Sequence, residues 1–115
     1  MPSDRMRRVD EAVRQVLSDA VAQDLQDPRI GFVTMTSVKT SPDLRHAKVY
    51  VSVLGDEAQR VSTLAGLSSA HGALQRRLAR ELRMKRTPTL EFLYDDTTDR
   101  AMMLEELIRR EADEA

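Results

Sequence analysis

Residues 32–53 of this chain read FVTMTSVKTSPDLRHAKVYVSV. In the second half, apolar and polar residues alternate from Ala47 to Val53, which is the pattern of a strand with one buried face. The first half is rich in β-branched residues, and the Ser-Pro-Asp sequence at 41–43 supplies turn chemistry between the halves. The stretch therefore predicts a hairpin with strands over 32–40 and 44–54.

Helices are predicted on both sides of this hairpin. Residues 4–26 carry a single apolar stripe at three- and four-residue spacing, with Ser3 placed to cap its start. The pair Asp27-Pro28 ends that helix, because the residue before a proline is pushed out of the helical conformation. Beyond the hairpin, apolar residues at helical spacing predict two more helices, over about 56–69 and 73–86.

Between these two helices, small residues and a glycine at Ala70-His71-Gly72 predict a kink or a short break. Residues 89–94 then alternate as a third strand, and Thr97 or Thr98 can cap a final helix. The residues expected to face the core are Ala58, Val61, Leu64, Ala65 and Leu67 in the helix over 56–69, Leu74, Leu78 and Leu82 in the next, and Ala101, Leu104, Leu107 and Ile108 in the last. This order of elements, α-β-β-α-α-β plus a terminal helix, predicts an α+β fold with a three-stranded sheet and helices on one face.

Composition limits what the chain can be. The 115 residues carry 18 Lys and Arg against 19 Asp and Glu, a formal charge of −1, and they include no cysteine. Disulfides, thiolate nucleophiles and Cys-ligated zinc are therefore excluded, and aromatic residues at 3% leave little surface for base stacking. No apolar run approaches the ~20 residues of a membrane span. We expect one domain over residues 1–115, cytoplasmic and monomeric.

An enzyme needs a constellation of reactive groups, and the sequence offers none. Residues 66–70 (Gly-Leu-Ser-Ser-Ala) resemble a nucleophile elbow only loosely, because they lie between two helices rather than after a strand. The two histidines, His46 and His71, lack the spacing of metal ligands, and Asp95-Asp96 is typical of a turn and a helix cap. The four glycines form neither a dinucleotide-binding motif nor a phosphate-binding loop. We therefore expect no catalytic residue, no metal and no cofactor.

Charge is unevenly distributed along the chain. Residues 95–115 hold 3 basic and 8 acidic side chains, which makes the terminal helix an acidic tail. Residues 70–86 instead hold six basic side chains and the single acid Glu81. Arginines spaced four and three apart share a helix face opposite the leucines, and each like-charge pair costs about 0.2–0.5 kcal/mol unless a polyanion relieves it. The pattern favours a phosphate-binding face over a merely solvated one.

This charge pattern selects the candidate RNA-binding residues. The primary phosphate contacts are predicted to be Arg76, Arg77, Arg80, Arg83, Lys85 and Arg86. The secondary contacts are predicted to be Arg45, Lys48, Arg5, Arg7 and Arg8. The acidic tail is expected to stay away from RNA, or to orient the protein by repulsion.

Several blocks of sequence, in order and at suitable spacing, carry a family resemblance. They are 27–30 (Asp-Pro-Arg-Ile), 32–34 (Phe-Val-Thr), Val38, 41–51 (Ser-Pro-Asp-Leu-Arg-His-Ala-Lys-Val-Tyr-Val), 70–72 (Ala-His-Gly), Leu78, 82–88 (Leu-Arg-Met-Lys-Arg-Thr-Pro), 90–92 (Leu-Glu-Phe) and 94–95 (Tyr-Asp). The chain resembles the bacterial ribosome-binding factor A family over nearly its whole length. The resemblance implies a type II K-homology-like fold, in which Ala70-His71-Gly72 forms an interhelical kink in place of the usual Gly-x-x-Gly nucleic-acid clamp.

The resemblance also implies a function. Members of this family bind the free 30S ribosomal subunit late in its assembly, act on 16S rRNA near the decoding region and the 5′-end helix, and support growth in the cold. An assembly GTPase or an initiation factor promotes their departure. We therefore expect a non-catalytic assembly factor whose partners are the 30S subunit and 16S rRNA. A general K-homology-like RNA-binding module and a protein-binding adaptor stay open as alternatives.

Overall fold

A computed structural model describes residues 3–114, apart from the side chains of residues 98–100 and 114. The elements are α1 (Asp4–Asp24), β1 (Val33–Thr40), β2 (His46–Val53), α2 (Glu57–Ser69), α3 (His71–Leu82), β3 (Thr89–Tyr94) and α4 (Thr97–Glu114). This order confirms the predicted α+β fold. The Ser3 side chain accepts a hydrogen bond from the Met6 N–H at 3.2 Å, so the predicted cap of α1 is in place.

The three strands form one sheet in the order β1-β2-β3. The hairpin pairs β1 and β2 antiparallel, and Thr40 lies opposite Ala47 beside the turn. The chain then crosses over through α2 and α3, so β3 pairs parallel to β2 with His46 opposite Thr89. Because β2 and β3 run in the same direction, both begin at the end of the sheet that holds the hairpin turn.

Three helices cover one face of the sheet and bury a single apolar core. Its members are Val13, Val16, Leu17 and Ala20 from α1, Met35 and Val38 from β1, Ala47, Val49, Val51 and Val53 from β2, Leu67, Leu74 and Leu78 from α2 and α3, and Leu90 and Phe92 from β3. Complete burial of one leucine contributes about 1.5–3 kcal/mol relative to exposure. The core therefore fixes which face of α3 points outward, and with it the direction of the α3 arginines.

One expectation about α2 is wrong. Ala58, Val61 and Ala65 were expected in the core but are exposed, and Thr63 and Gly66 are buried instead, while the expected burial of Leu67 is confirmed. The reason is the loop over 27–31, which packs on this helix so closely that a Cβ at Gly66 would lie 2.6 Å from Ile30 Cγ1. That tertiary contact rotates α2 away from the face that periodicity favoured.

The end of α3 and the packing of α4 also differ from expectation. The helix expected to reach residue 86 ends at Leu82, because Arg83 adopts the left-handed conformation with φ 48° and ψ 41°. Leu104, Leu107 and Ile108 were expected to face the core, yet each is more than half exposed, and Ala101 is exposed as well. The described part of α4 thus leaves its apolar side open to solvent.

Candidate nucleic-acid interface

The hairpin turn and the loop before β3 bring basic residues to one end of the sheet. The Thr89 N–H donates to the Arg45 carbonyl at 2.8 Å, which joins the start of β3 to the residue before β2. Lys85 and Arg86 come three to four residues before Thr89, so the loop that carries them closes beside Arg45. Basic residues from distant parts of the sequence are therefore brought to the same end of the sheet.

The first turns of α1 point toward the same end. The Asp10 carboxylate accepts a hydrogen bond from the Thr40 N–H at 2.9 Å, and Arg14 Nη1 donates to the Met35 carbonyl at 3.3 Å. The helix therefore runs against the direction of β1, and its first residues extend past Thr40 toward the turn. Arg5, Arg7 and Arg8 are exposed there, with Arg7 paired to Asp4 at 2.6 Å.

Helix α3 carries two further exposed arginines. Gln75 Nε2 donates to the Pro88 carbonyl at 2.8 Å, which ties α3 to the start of β3. Arg76 and Arg80 are exposed on the side away from the core. We call these exposed basic residues together the basic end, and its members are Arg5, Arg7, Arg8, Arg45, Lys48, Arg76, Arg80, Arg83, Lys85 and Arg86.

Arg77 is held differently from its neighbours. Its side chain is only 15% exposed, and it pairs with Asp24 of α1 at 2.6 Å and with Glu81 one turn further along α3. These hydrogen bonds, that to Glu81 first and that to Asp24 second, raise the pKa of the Arg77 guanidinium above its usual value. The structure thus places Arg77 as a tie between α1 and α3, with little of its charge turned toward solvent.

The hairpin turn holds Arg45 in a defined backbone position. The Asp43 carboxylate accepts hydrogen bonds from the Ser41 hydroxyl at 2.6 Å and from the Arg45 N–H at 3.1 Å. These bonds, with the Ser41 hydroxyl contributing most, lower the pKa of Asp43 below its ordinary value. Leu44 takes a left-handed φ of 60°, which turns the chain into β2. The Arg45 guanidinium is left mostly exposed, 3.9 Å from Asp43.

Lys39 is a basic residue that the sequence interpretation missed. The register sets it directly opposite Lys48 on the open face of the sheet, and both side chains are exposed. Two like charges in directly opposed positions repel each other, so a nearby anion stabilises them. The signal was obscured because a bulge between Met35 and Ser37 interrupts the alternation of β1.

The residues singled out as an interhelical kink separate α2 from α3. Ala70 has φ −89° and ψ 2°, outside the helical range, while its N–H still donates to the Gly66 and Leu67 carbonyls. His71 is the first residue of α3 and is exposed. A Cβ on Gly72 would meet only Arg76 Nη1 at 3.7 Å, an ordinary contact, so steric crowding does not require glycine there.

The sequence profile of ribosome-binding factor A matches residues 5–108. The chain belongs to the ribosome-binding factor A family. Ribosome-binding factor A of Anaeromyxobacter sp. (strain K) is 51% identical to it over 106 residues, which are 91% of this chain and 77% of that protein. The predicted family membership is thereby confirmed.

Two solved structures extend the family relationship to three dimensions. The crystal structure of ribosome-binding factor A from Thermus thermophilus has a TM-score of 0.69 and 34% identity, covering 77% of this chain and 94% of that one. A homology model of the Thermus thermophilus protein, fitted into a cryo-EM map of its 30S complex, has a TM-score of 0.63 and 35% identity, covering 75% of this chain and 90% of that one. The likeness to family structures confirms the K-homology-like fold expected from the sequence.

The described part of the chain offers neither a metal site nor a membrane-spanning helix. Among the side chains that the structure describes, no three histidine or acidic groups come together as a possible metal site. No helix in the described part of the chain is long and apolar enough to cross a membrane.

Proposed function

We propose that this protein is a non-catalytic ribosome assembly factor that acts in the cytoplasm, binding the free 30S subunit and assisting late maturation of its 16S rRNA. The observation that carries the proposal is the basic end, formed by exposed arginines and lysines from four separate parts of the chain. Family membership supports the choice of target, since the Thermus thermophilus relative has been fitted into a 30S complex.

The chemistry of the basic end suits the backbone of folded RNA. Arginine forms paired hydrogen bonds with phosphate oxygens, and most of these side chains are exposed at the surface. The chain has two Phe, two Tyr and no Trp, so stacking on splayed bases contributes little to affinity. We therefore propose phosphate contacts with structured rRNA as the main source of binding.

Binding of this kind assists assembly by selecting a conformation. A protein that binds an immature rRNA arrangement more tightly than the mature one shifts the population toward the first and leaves when it is gone. The proposed primary contacts are Arg76, Arg80, Arg83, Lys85 and Arg86. The proposed secondary contacts are Arg45, Lys48, Arg5, Arg7 and Arg8. Arg77 was predicted among the primary contacts, and in our proposal it acts by holding α1 against α3.

A general RNA-binding module remains the second candidate, because exposed arginines bind any phosphate backbone. Co-sedimentation of the full chain with purified 30S subunits, 50S subunits and 70S ribosomes, at low and moderate salt, separates the two. We expect recovery with free 30S subunits that falls as salt rises. Equal recovery with all three particles would leave only general RNA binding, and no recovery would refute both.

The same assay tests the assigned surface. The double variant Arg76→Glu with Arg80→Glu should lose recovery with 30S subunits while keeping its fold, because both side chains are exposed. The matched control is Arg109→Glu with Arg110→Glu, which makes the same change in net charge on α4. Loss of recovery in both variants to the same degree would contradict the placement of the RNA contacts on the basic end.

A further inference from the structure

The opposite end of the sheet exposes large apolar side chains. Phe32 is 81% exposed and Leu54 is 75% exposed, and the Leu54 N–H donates to the Phe32 carbonyl at 3.0 Å, which sets the two residues side by side. On the neighbouring helix α2, Ala58 is exposed and Val61 is 62% exposed. We call Phe32, Leu54, Ala58 and Val61 the apolar end. The phosphate contacts proposed above give these residues no role.

Two depressions flank Phe32. One has a volume of about 380 Å³ and is lined on its apolar side by Val21, Leu25, Ile30 and Val33. The other, of about 500 Å³, lies between Phe32 and Leu54 on one side and α2 on the other. A ridge with a hollow on each side can receive large side chains of a partner as anchors, which is how binding energy concentrates in protein interfaces.

The loop that presents Phe32 is held in place by its polar groups. The Arg29 carbonyl accepts hydrogen bonds from the Ser62 hydroxyl at 3.1 Å and from the Thr63 hydroxyl at 3.4 Å, and the Gly31 N–H donates to the Thr63 hydroxyl at 3.3 Å. Gly66 lets Ile30 approach α2 closely. Because the loop is already ordered, a partner would bind it without the entropy cost of fixing its conformation.

Acidic side chains outnumber basic ones around the apolar end: Asp27, Asp56 and Glu57 stand against Arg29 and Arg60, and the Arg60 guanidinium lies over the Tyr94 ring, 4.4 Å from its centre. Asp56 lines the second depression and is exposed, as is Glu57 next to it. The nearby cation Arg29 is bound through two of its nitrogens to the Asp27 carboxylate, at 3.1 and 2.7 Å. A phosphate backbone would be repelled here, whereas a basic protein segment would be attracted.

We propose that the apolar end docks a basic protein segment of the 30S particle, anchored by large apolar side chains, while the basic end holds RNA. The proposal rests on 30S binding as the function. A single exposed phenylalanine could instead stack on a base, and an apolar surface could instead pair two copies of the chain. The test must therefore tell protein, RNA and self-association apart.

Site-specific crosslinking on the particle makes that distinction. The full chain, with photoreactive p-benzoylphenylalanine in place of Phe32, is irradiated with purified, salt-washed 30S subunits. The control carries the same group in place of Arg80. We expect a protease-sensitive product at position 32 whose crosslinked peptide is rich in Lys and Arg, and a nuclease-sensitive product at position 80.

Each other outcome at position 32 would overturn the proposal. Crosslinking to rRNA would make the apolar end a stacking surface, and crosslinking between two copies would make it a dimer interface. No product at position 32, with normal crosslinking at position 80, would leave 30S binding intact and refute the docking site. No product at either position, with no co-sedimentation, would refute the function itself and the docking proposal with it.

Affinity measurements provide an independent readout. Phe32→Ser with Leu54→Ser should weaken 30S binding about tenfold. The factor should be the same at every salt concentration, because the lost contacts are apolar. Phe32→Tyr with Leu54→Met should retain near-normal affinity. An unchanged affinity in the serine variant would contradict the docking site, since both side chains are too exposed for the fold to depend on them.

Discussion

The two ends of the sheet use their polar groups in opposite ways. At the basic end, Arg76, Arg80 and Arg86 extend into solvent, and the backbone is fixed by the Thr89–Arg45 and Gln75–Pro88 hydrogen bonds. At the apolar end, hydroxyl groups of α2 hold the loop, and the large exposed side chains, Phe32 and Leu54, are apolar. The difference shows that one small sheet can present exposed charges at one end and exposed apolar side chains at the other.

The largest expected effect is charge reversal at the point where the turn meets the loop before β3. Arg45→Glu with Arg86→Glu should lower 30S affinity at low salt by about a hundredfold, near 2.7 kcal/mol, because attraction to phosphate becomes repulsion. The measurement is fluorescence anisotropy of labelled protein titrated with 30S subunits. If affinity falls less than twofold, the turn and the loop are not part of the RNA contact.

Alanine substitutions at two glycines test how closely the loop over 27–31 packs on α2. Gly66→Ala should destabilise the fold by about 1–3 kcal/mol in urea unfolding, because its Cβ would lie 2.6 Å from Ile30 Cγ1. Gly72→Ala, where the nearest atom is 3.7 Å away, should be neutral or stabilising by up to about 1 kcal/mol. Equal effects of the two substitutions would mean that the loop does not rest on α2 as described.

Replacing Arg83 is expected to change stability and 30S binding in opposite directions. Its left-handed backbone, with φ 48°, is strained for arginine and natural for glycine. Arg83→Gly should therefore raise the free energy of unfolding by about 0.5–1 kcal/mol. The same variant should bind 30S subunits more weakly, because one proposed phosphate contact is gone. If the variant is more stable and binds 30S subunits as tightly as the unchanged protein, Arg83 is not a phosphate contact.

The smallest expected effect is the response to acid. Hydrogen bonds from the Thr97 side chain and N–H and from the Thr36 hydroxyl lower the pKa of Asp95, and the guanidinium of Arg29 lowers that of Asp27. In the unfolded chain these two carboxylates titrate near their ordinary pKa of about 4, so around that pH the unfolded chain binds more protons than the folded chain. The free energy of unfolding therefore falls as the pH drops below that value. Asp95→Asn should make this fall shallower in denaturant titrations between pH 5 and pH 3. An equally steep fall would show that Asp95 does not contribute.

Local patterns in the sequence predicted the elements that depend on neighbours in the chain. The helix capped by Ser3, the hairpin around 41–43 and the strand over 89–94 all lie within one or two residues of their predicted bounds. The candidate arginines could be selected by charge, since exposed like charges leave a visible pattern.

Two of the misses depend on contacts between residues far apart in the chain. The buried face of α2 is set by the loop at 27–31, some thirty residues earlier in the chain. The partner that makes Arg77 a structural tie is Asp24, 53 residues away. No window of local sequence contains these pairs.

The most direct test of the central claim is the salt dependence of 30S binding, compared between Arg76→Gln with Arg80→Gln and Phe32→Ser with Leu54→Ser. Each phosphate contact contributes roughly 0.7–0.9 to the slope of log affinity against log salt. We predict that the arginine variant reduces the slope by about 1.4–1.8 for its two contacts, and that the apolar variant leaves the slope unchanged while lowering affinity. An unchanged slope in the arginine variant, or an equal reduction in both, would contradict the division of binding between the two ends.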